Sequence, residues 1–369
     1  MTAKRALDAG WPVSLALVTF VPIANLVTFV VLGLLPSRLR SETVHEDVAE
    51  NAGHGRLLVV PNLILAAACA IAIGAITLSL STFVLGEYGA PLFIGAPFLM
   101  GFTYAVLGRA RLARQVDVLG GCTWLTLIAL SLGLVAGAEG AICLIMAAIP
   151  VWIMTMVGGV IGFAVVQTAT VGRQMSFAIA MLPIWFAVDS VPTAEPVLSV
   201  TTSIEIDASI EKAWEHVIRF SEIPPPEEWY FRAGIAYPTR AEIRGKGVGA
   251  VRHCMFTTGT FVEPITVWDA PTHLAFDVRE QPDALRELSP YGDLHPPHLD
   301  HDSGGFRSLR GEFRLESLSA NRTRVAGTTW YELPFRPRRY WSFWSDFLIH
   351  AIHRRVLNHI KHEAERATD

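Results

Sequence analysis

The sequence predicts an all-α bundle of five or six membrane-spanning helices, followed by an α+β domain whose curved antiparallel sheet wraps one long C-terminal helix. Three observations lead there. Residues 12–192 are a succession of long apolar stretches with almost no charge, and a bilayer core demands about 20 such residues of a helix. At Ser199–Asp207 the pattern changes to alternation, the period of a half-buried strand. Near the end, Trp341, Trp344, Leu348, Ile352, Val356 and Ile360 recur at three- and four-residue intervals, the apolar stripe of a long amphipathic helix.

The composition is an average over these two unlike parts. Of 369 residues, 51% are hydrophobic and only 17% charged, and the shift between them sets the expected boundary: a multi-pass membrane domain over 1–195 and a soluble domain over 196–369. The net charge of −4 and the absence of a basic run exclude a strongly basic nucleic-acid binder. Cys69, Cys122 and Cys143 fall in apolar segments and leave Cys254 alone in the soluble part, so no disulfide framework is expected there. No cleavable signal peptide is expected either, because the first apolar stretch is too long and lacks a small-residue cleavage site.

The spans read as 12–35, 57–84, 91–108, 119–137, 141–168 and 175–191. Short breaks separate them, among them Gly86–Gly89 and Ala138–Gly140. Arg109, Arg111 and Arg114 make the most basic short loop, which the positive-inside rule assigns to the cytoplasm, and Arg173 marks a second inner loop. The loop at Glu87 then faces outward. Residues 175–191 are near the minimum length and contain Pro183, Trp185 and Asp189. If they cross, the C-terminal domain lies outside; if they rest in the interface as an amphipathic anchor, it is cytoplasmic. Crossing is the reading taken. Asp117, Glu139 and Asp189 all fall at span ends, so no transport pathway is marked by an intramembrane charge. Gly158, Gly159 and Gly162 have the spacing of tight helix contact. Lys4–Trp11, Pro22 and Leu35–Arg38 resemble the last segment of a family of small bacterial inner-membrane proteins of unknown function, which implies no activity; the expected location is the cell inner membrane.

In the soluble part a strand at 198–207 is followed by a helix whose start Ser209 can cap, with Ala213, Trp214, Val217 and Ile218 at helical spacing. Pro224–Pro226 breaks the chain. Strands follow at about 239–245, 248–257, 259–268, 272–280, 306–318 and 322–334, and a helix runs from Pro337 to Ala367. That order is the helix-grip fold. The segments Ile204–Trp214, Gly245–Arg252, Glu263–Pro271 with Leu274–Phe276, Gly311–Leu315 and Thr323–Tyr331 resemble the START-like (SRPBCC) superfamily of polyketide cyclase and lipid-transfer domains. The resemblance spans the whole soluble part and implies an apolar cavity between sheet and helix. It does not name an activity. Ser209 stands where many relatives have proline.

Several residues are candidates for chemistry. Phe261, Glu263, Ile265 and Val267 share one strand face by the period of two, and a carboxylate there is costly unless paired or wetted. Arg252 on the preceding strand is its expected partner. A structural ion pair, a ligand contact and general acid–base catalysis all remain open for it. Tyr331 and Trp330 point to opposite faces, so one of them is inward, where a tyrosine hydroxyl can orient a ligand. Glu312 and Glu332 are read as solvated. His295, His298 and His301 lie near Asp300 and Asp302, but two prolines stiffen the segment and the spacing matches no metal motif, so no metal is expected. The long loop 281–305 is read as a lid whose Tyr291, Pro290 and Leu294 cover the cavity mouth. His350 is placed opposite the apolar stripe and His359 within it, too far apart for a common metal site. Arg336–Trp344 mixes arginine with aromatic rings, as core packing does and as lipid-headgroup contacts do.

The function expected from these readings is membrane-tethered binding of a hydrophobic small molecule or lipid. Arg252, Glu263, Tyr291, Tyr331, Trp344, Leu348 and Ile352 form the ligand site, and the bilayer is the other partner. The alternatives are a polyketide cyclase or dehydratase type of enzyme and a non-catalytic assembly module. No nucleophile–base motif, phosphate loop or cofactor fingerprint occurs, which favours binding, without a cofactor.

Overall fold

A computed structural model describes residues 63–84, 88–168, 196–291 and 305–366. The expected spans 12–35 and 175–191 lie outside the described residues. The described residues form two compact units, one holding those up to 132 and 147–168, the other 133–146 and those from 196 on.

Among the described residues the first unit is helical. Three helices among the described residues are long and apolar enough to cross a membrane: Leu63–Thr82, Gln115–Val135 and Ala141–Gln167. The segment Pro91–Leu107, expected as a full span, is a shorter apolar helix. Four helices are thus labelled α1 (Leu63–Ser79), α2 (Ala96–Leu107), α3 (Gln115–Val135) and α4 (Ala141–Thr168). Nearly every residue of α2 is buried. Its approach to α4 is backbone against backbone: a Cβ on Gly101 would lie 1.9 Å from the Thr155 carbonyl oxygen, and one on Gly158 2.0 Å from that of Phe98. Small residues drive this kind of helix contact in lipid, where no hydrophobic force brings helices together.

In the second unit, β1 (Leu198–Ile206) is followed by α5 (Ile210–Ile218) and α6 (Trp229–Arg232). Next come β2 (Pro238–Arg244), β3 (Val251–Phe256), β4 (Gly259–Asp269), β5 (His273–Asp277), β6 (Arg307–Ser319), β7 (Arg322–Glu332) and α7 (Arg338–Arg366). The seven strands are antiparallel in the order β1-β7-β6-β5-β4-β3-β2. α5 and α7 pack on one face of the sheet, where Ile206, Ile265, Leu274 and Val325 meet Val217, Leu357 and Ile360. A curved antiparallel sheet gripping a C-terminal helix is the helix-grip fold, as the order of elements predicts.

Local chemistry explains the turns. Gly245, Gly247 and Gly249 between β2 and β3 have φ of 94°, 85° and 88°, a region that a side chain disfavours. Ser209 adopts the extended N-cap backbone of α5, but its side chain makes no cap, contrary to expectation; its carbonyl accepts the Ala213 N–H at 3.1 Å instead. A bulge between Ile265 and Val267 shifts the β4 register. It turns Trp268 rather than Val267 toward the core, where its ring meets Trp214 edge-on at 5.8 Å.

Residues 133–146, which take in the end of α3, the turn after it and the first turns of α4, belong to this second unit. Both oxygens of the buried Glu287 carboxylate accept backbone N–H groups at 3.1 Å, from Ile142 and Cys143 in the first turn of α4. A carboxylate there satisfies orphan donors and meets the positive end of the helix dipole. The Leu288 carbonyl accepts from Ala141 at 2.9 Å, and the Tyr340 and Tyr291 hydroxyls donate to the carbonyls of Met146 and Val135. Burial, and then Glu287 itself, push the carboxyl of Glu139 up to about 8.

Candidate functional site

The inward face of the sheet follows from the register. Arg252 on β3 pairs directly with Glu263 on β4, so the two-residue period sends both side chains to the concave side. They form an ion pair with exposures of only 2% and 5%. The guanidinium carbon stands 5.5, 5.4 and 5.6 Å from the ring centroids of Phe220, Phe276 and Phe313. A desolvated cation over an aromatic face gains about 2 kcal/mol, so the rings offset part of the cost of burying the charge. Burial pushes the Glu263 carboxyl up, and Arg252 opposes it. The same carboxylate, working against burial, holds the Arg252 guanidinium firmly protonated. Arg252 Nε has no hydrogen-bond partner among the described residues, so this pair keeps an unused donor.

Around the pair the inward face is aromatic. Phe256 and Phe261 pack at 4.7 Å, and Phe276 and Phe313 at 6.3 Å. Inward glycines make room for them: a Cβ on Gly311 would lie 2.6 Å from the Phe276 ring, and one on Gly327 3.3 Å from Phe313. Phe256, Phe261, Phe313, Ile204 and Trp268 pack against the core yet stay only half-buried.

A second polar group occupies the β1–β7 end. Thr202 Oγ1 lies 2.7 Å from His350 Nδ1 and 3.1 Å from His353 Nδ1, and Thr329 Oγ1 lies 2.8 Å from His353 Nε2. Both ring nitrogens of His353 are therefore taken by threonines. Burial, and then His350, lower its pKa to about 4, so the imidazole is neutral at physiological pH. Beside it the Tyr331 hydroxyl donates to Asp346 on α7 at 2.6 Å. Burial, helped by Asp346, pushes that phenol up.

The residues expected at the ligand site do not all converge. Arg252, Glu263 and Tyr331 are inward and buried. Leu348 and Ile352 instead join a separate cluster with Phe231, Ile235, Leu285 and Ala351. Trp344 packs edge-on to Phe343 and Phe347. The reason is geometric. At 100° per residue, a row of successive fourth residues rotates 40° at each step, so Trp344–Leu348–Ile352–Val356–Ile360 winds around α7 rather than keeping one face. The side toward the sheet is instead Ile349, His353, Leu357, Ile360 and Ala364. His350, expected opposite the buried side, reaches Thr202 for the same reason.

Tyr291 is 63% exposed, with its ring against Gly137 in the α3–α4 turn, away from the Arg252–Glu263 pair. The described part of the expected lid is pinned down: Arg286 N–H donates to the Gly234 carbonyl at 2.8 Å, and the Ala236 N–H to that of Ala284 at 3.0 Å. Pro290 is described with this segment; Leu294, His295, His298 and His301 lie outside the described residues. Among the described residues no group of histidine, cysteine or acid side chains could hold a metal ion. Glu312, expected solvated, is half-buried and bound by His273 at 3.0 Å and Arg314 at 2.8 Å. Sequence reasoning missed the inward roles of Thr202, Thr329, Asp346 and His353. The available signal was an even-numbered threonine on β1 together with His350 and His353 three residues apart.

No protein-family model matches the chain, and no curated protein matches it in sequence. Solved structures similar to it include the ZhuI aromatase/cyclase from Streptomyces sp. R1128, at 16% identity over 47% of this chain and 97% of that one, TM-score 0.31. They also include norcoclaurine synthase from Thalictrum flavum, at 9% identity over 48% and 100%, TM-score 0.30. The XoxI protein from Bacillus cereus, at 16% identity over 46% and 98%, has a TM-score of 0.29.

Proposed function

We propose that the chain is a membrane-anchored binder of a hydrophobic small molecule or lipid, held on the concave face of the helix-grip domain. The observation that carries this reading is the half-buried crescent of Phe256, Phe261 and Phe313 around the Arg252–Glu263 pair. Accessible aromatic surface with a few fixed polar groups is the usual make-up of a small-molecule site. The half-buried rings supply the apolar area. Binding is favoured over a cyclase or dehydratase activity because each candidate acid or base already has a partner. Glu263 is tied to Arg252, Tyr331 to Asp346 and His353 to two threonines. Anchoring serves a ligand that partitions into lipid, because it keeps binder and ligand on the same surface.

The same reading puts the domain on the outer face of the cell inner membrane. The basic loop Arg109–Arg114 precedes α3, and residues 133–146, which belong to the second unit, lie at its far end. A helix that crosses the bilayer puts these two on opposite sides, and the basic one belongs inside.

Native mass spectrometry of the detergent-purified full chain tests the binding. A retained apolar ligand is expected, lost in Phe261→Trp with little change in melting temperature, since the added ring enters open space. A closed core would instead be overpacked by about 1–3 kcal/mol. That stability loss, with no ligand on either protein, would overturn the reading.

A further inference from the structure

One surface of the second unit is unlike the rest. Trp229, Phe343 and Phe347 are exposed at 64%, 65% and 40%, and their rings connect into one belt. Trp229 meets Tyr230 at 5.8 Å, Tyr230 meets Phe347 at 5.4 Å, and Trp344 bridges Phe347 and Phe343 at 6.3 and 6.0 Å. Exposed apolar side chains occurring singly need no explanation, but a contiguous aromatic patch marks an interaction surface.

What covers it follows from its neighbours. The hydroxyl of Tyr340, one turn before Phe343 on the same side of α7, donates to the Met146 carbonyl. Tyr230 and Leu348 pack in the cluster that includes Cys143 and Met146. Met146 lies five residues into α4, hence about 7 Å along its axis from Ala141. α4 from Ala141 to Gln167 is long and apolar enough to cross a membrane. Tyr340 and Tyr230 therefore stand beside the first turns of a helix long and apolar enough to cross a membrane. Tyrosine and tryptophan rings concentrate at membrane–water interfaces, because an apolar body and a polar tip suit a graded medium. Exposed Arg339, one turn before Phe343, adds a cation of the kind that anionic headgroups attract.

We propose that the belt of Trp229, Tyr230, Phe343, Trp344 and Phe347 is seated in the headgroup–acyl boundary of the bilayer, so that the helix-grip domain lies partly embedded rather than hanging free on its tether. The inference rests on the membrane-anchored reading above, and the test separates the two. Nitroxide labels are placed one at a time at Phe343→Cys, Phe347→Cys, Ile128→Cys on α3 and Asn321→Cys in the β6–β7 turn. The carrier is the full chain in nanodiscs of phosphatidylcholine and phosphatidylglycerol. Accessibility to oxygen relative to a water-soluble nickel chelate reports depth. The ratio at 343 and 347 is expected to be several-fold above that at 321 and to approach that at 128. Ratios at 343 and 347 equal to that at 321, with 128 still lipid-exposed, would overturn the embedded belt and leave the anchoring intact. Labels at 343 and 347 that neither reagent reaches would mean a protein covers the belt, and overturn it equally. An aqueous ratio at 128 as well would overturn the anchoring itself.

Discussion

Arg252 and Glu263 are buried together among three phenylalanine rings, and each stabilises the charge of the other there. Removing one partner strands the other, at a cost of about 3–5 kcal/mol, whereas replacing both with apolar groups of similar volume is often neutral. Arg252→Met should therefore lower stability by several kcal/mol, and Arg252→Met with Glu263→Leu should restore most of it, as read by denaturant unfolding of the full chain. His353 makes the second prediction at this scale. Its folded pKa of about 4 lies below that of the unfolded chain, so protons bind the unfolded state first. The imidazole's contribution is full above about pH 6.5 and lost as the pH falls through about 4. The melting temperature should drop across that window, and His353→Gln should flatten this part of the profile.

Helix α7 has two working faces. Leu357 and Ile360 are fully buried against the sheet, while Leu348 and Ile352 pack with Phe231, Ile235 and Ile142. Leu357→Ala should cost about 2–5 kcal/mol. Leu348→Trp should leave ligand on the concave face and instead raise hydrogen exchange in residues 133–146, which share its cluster. This division is where the sequence stopped being legible. Helical spacing showed an amphipathic helix but could not say which row faces the sheet, since apolar residues cover more than one side of it. The Arg252–Glu263 pair was legible because a tight hairpin fixes register, and register fixes facing. The β4 bulge was not, because an extra residue alters facing without any signal in hydrophobicity.

At the scale of the molecule, the strand order could be read from alternation and turn residues. The grouping of 133–146 with the C-terminal unit could not, because Glu287 and Ile142 are 145 residues apart. On the proposed reading, that grouping puts the domain on the outer side. With Arg109, Arg111 and Arg114 inside, Asn321→Cys should react with an impermeant maleimide in intact cells, and reaction only after lysis would put the domain in the cytoplasm. The central claim is that ligand sits on the concave face. The most direct measurement is photocrosslinking of a diazirine-bearing fatty acid to the full chain in membranes, with the modified peptides mapped. The account predicts adducts on Phe256–Val267 and Gly311–Leu315, reduced in Phe261→Trp. Adducts confined to residues 63–168 and to the α7 segment Phe343–Phe347 would contradict it, because they would show lipid around the protein and none within it.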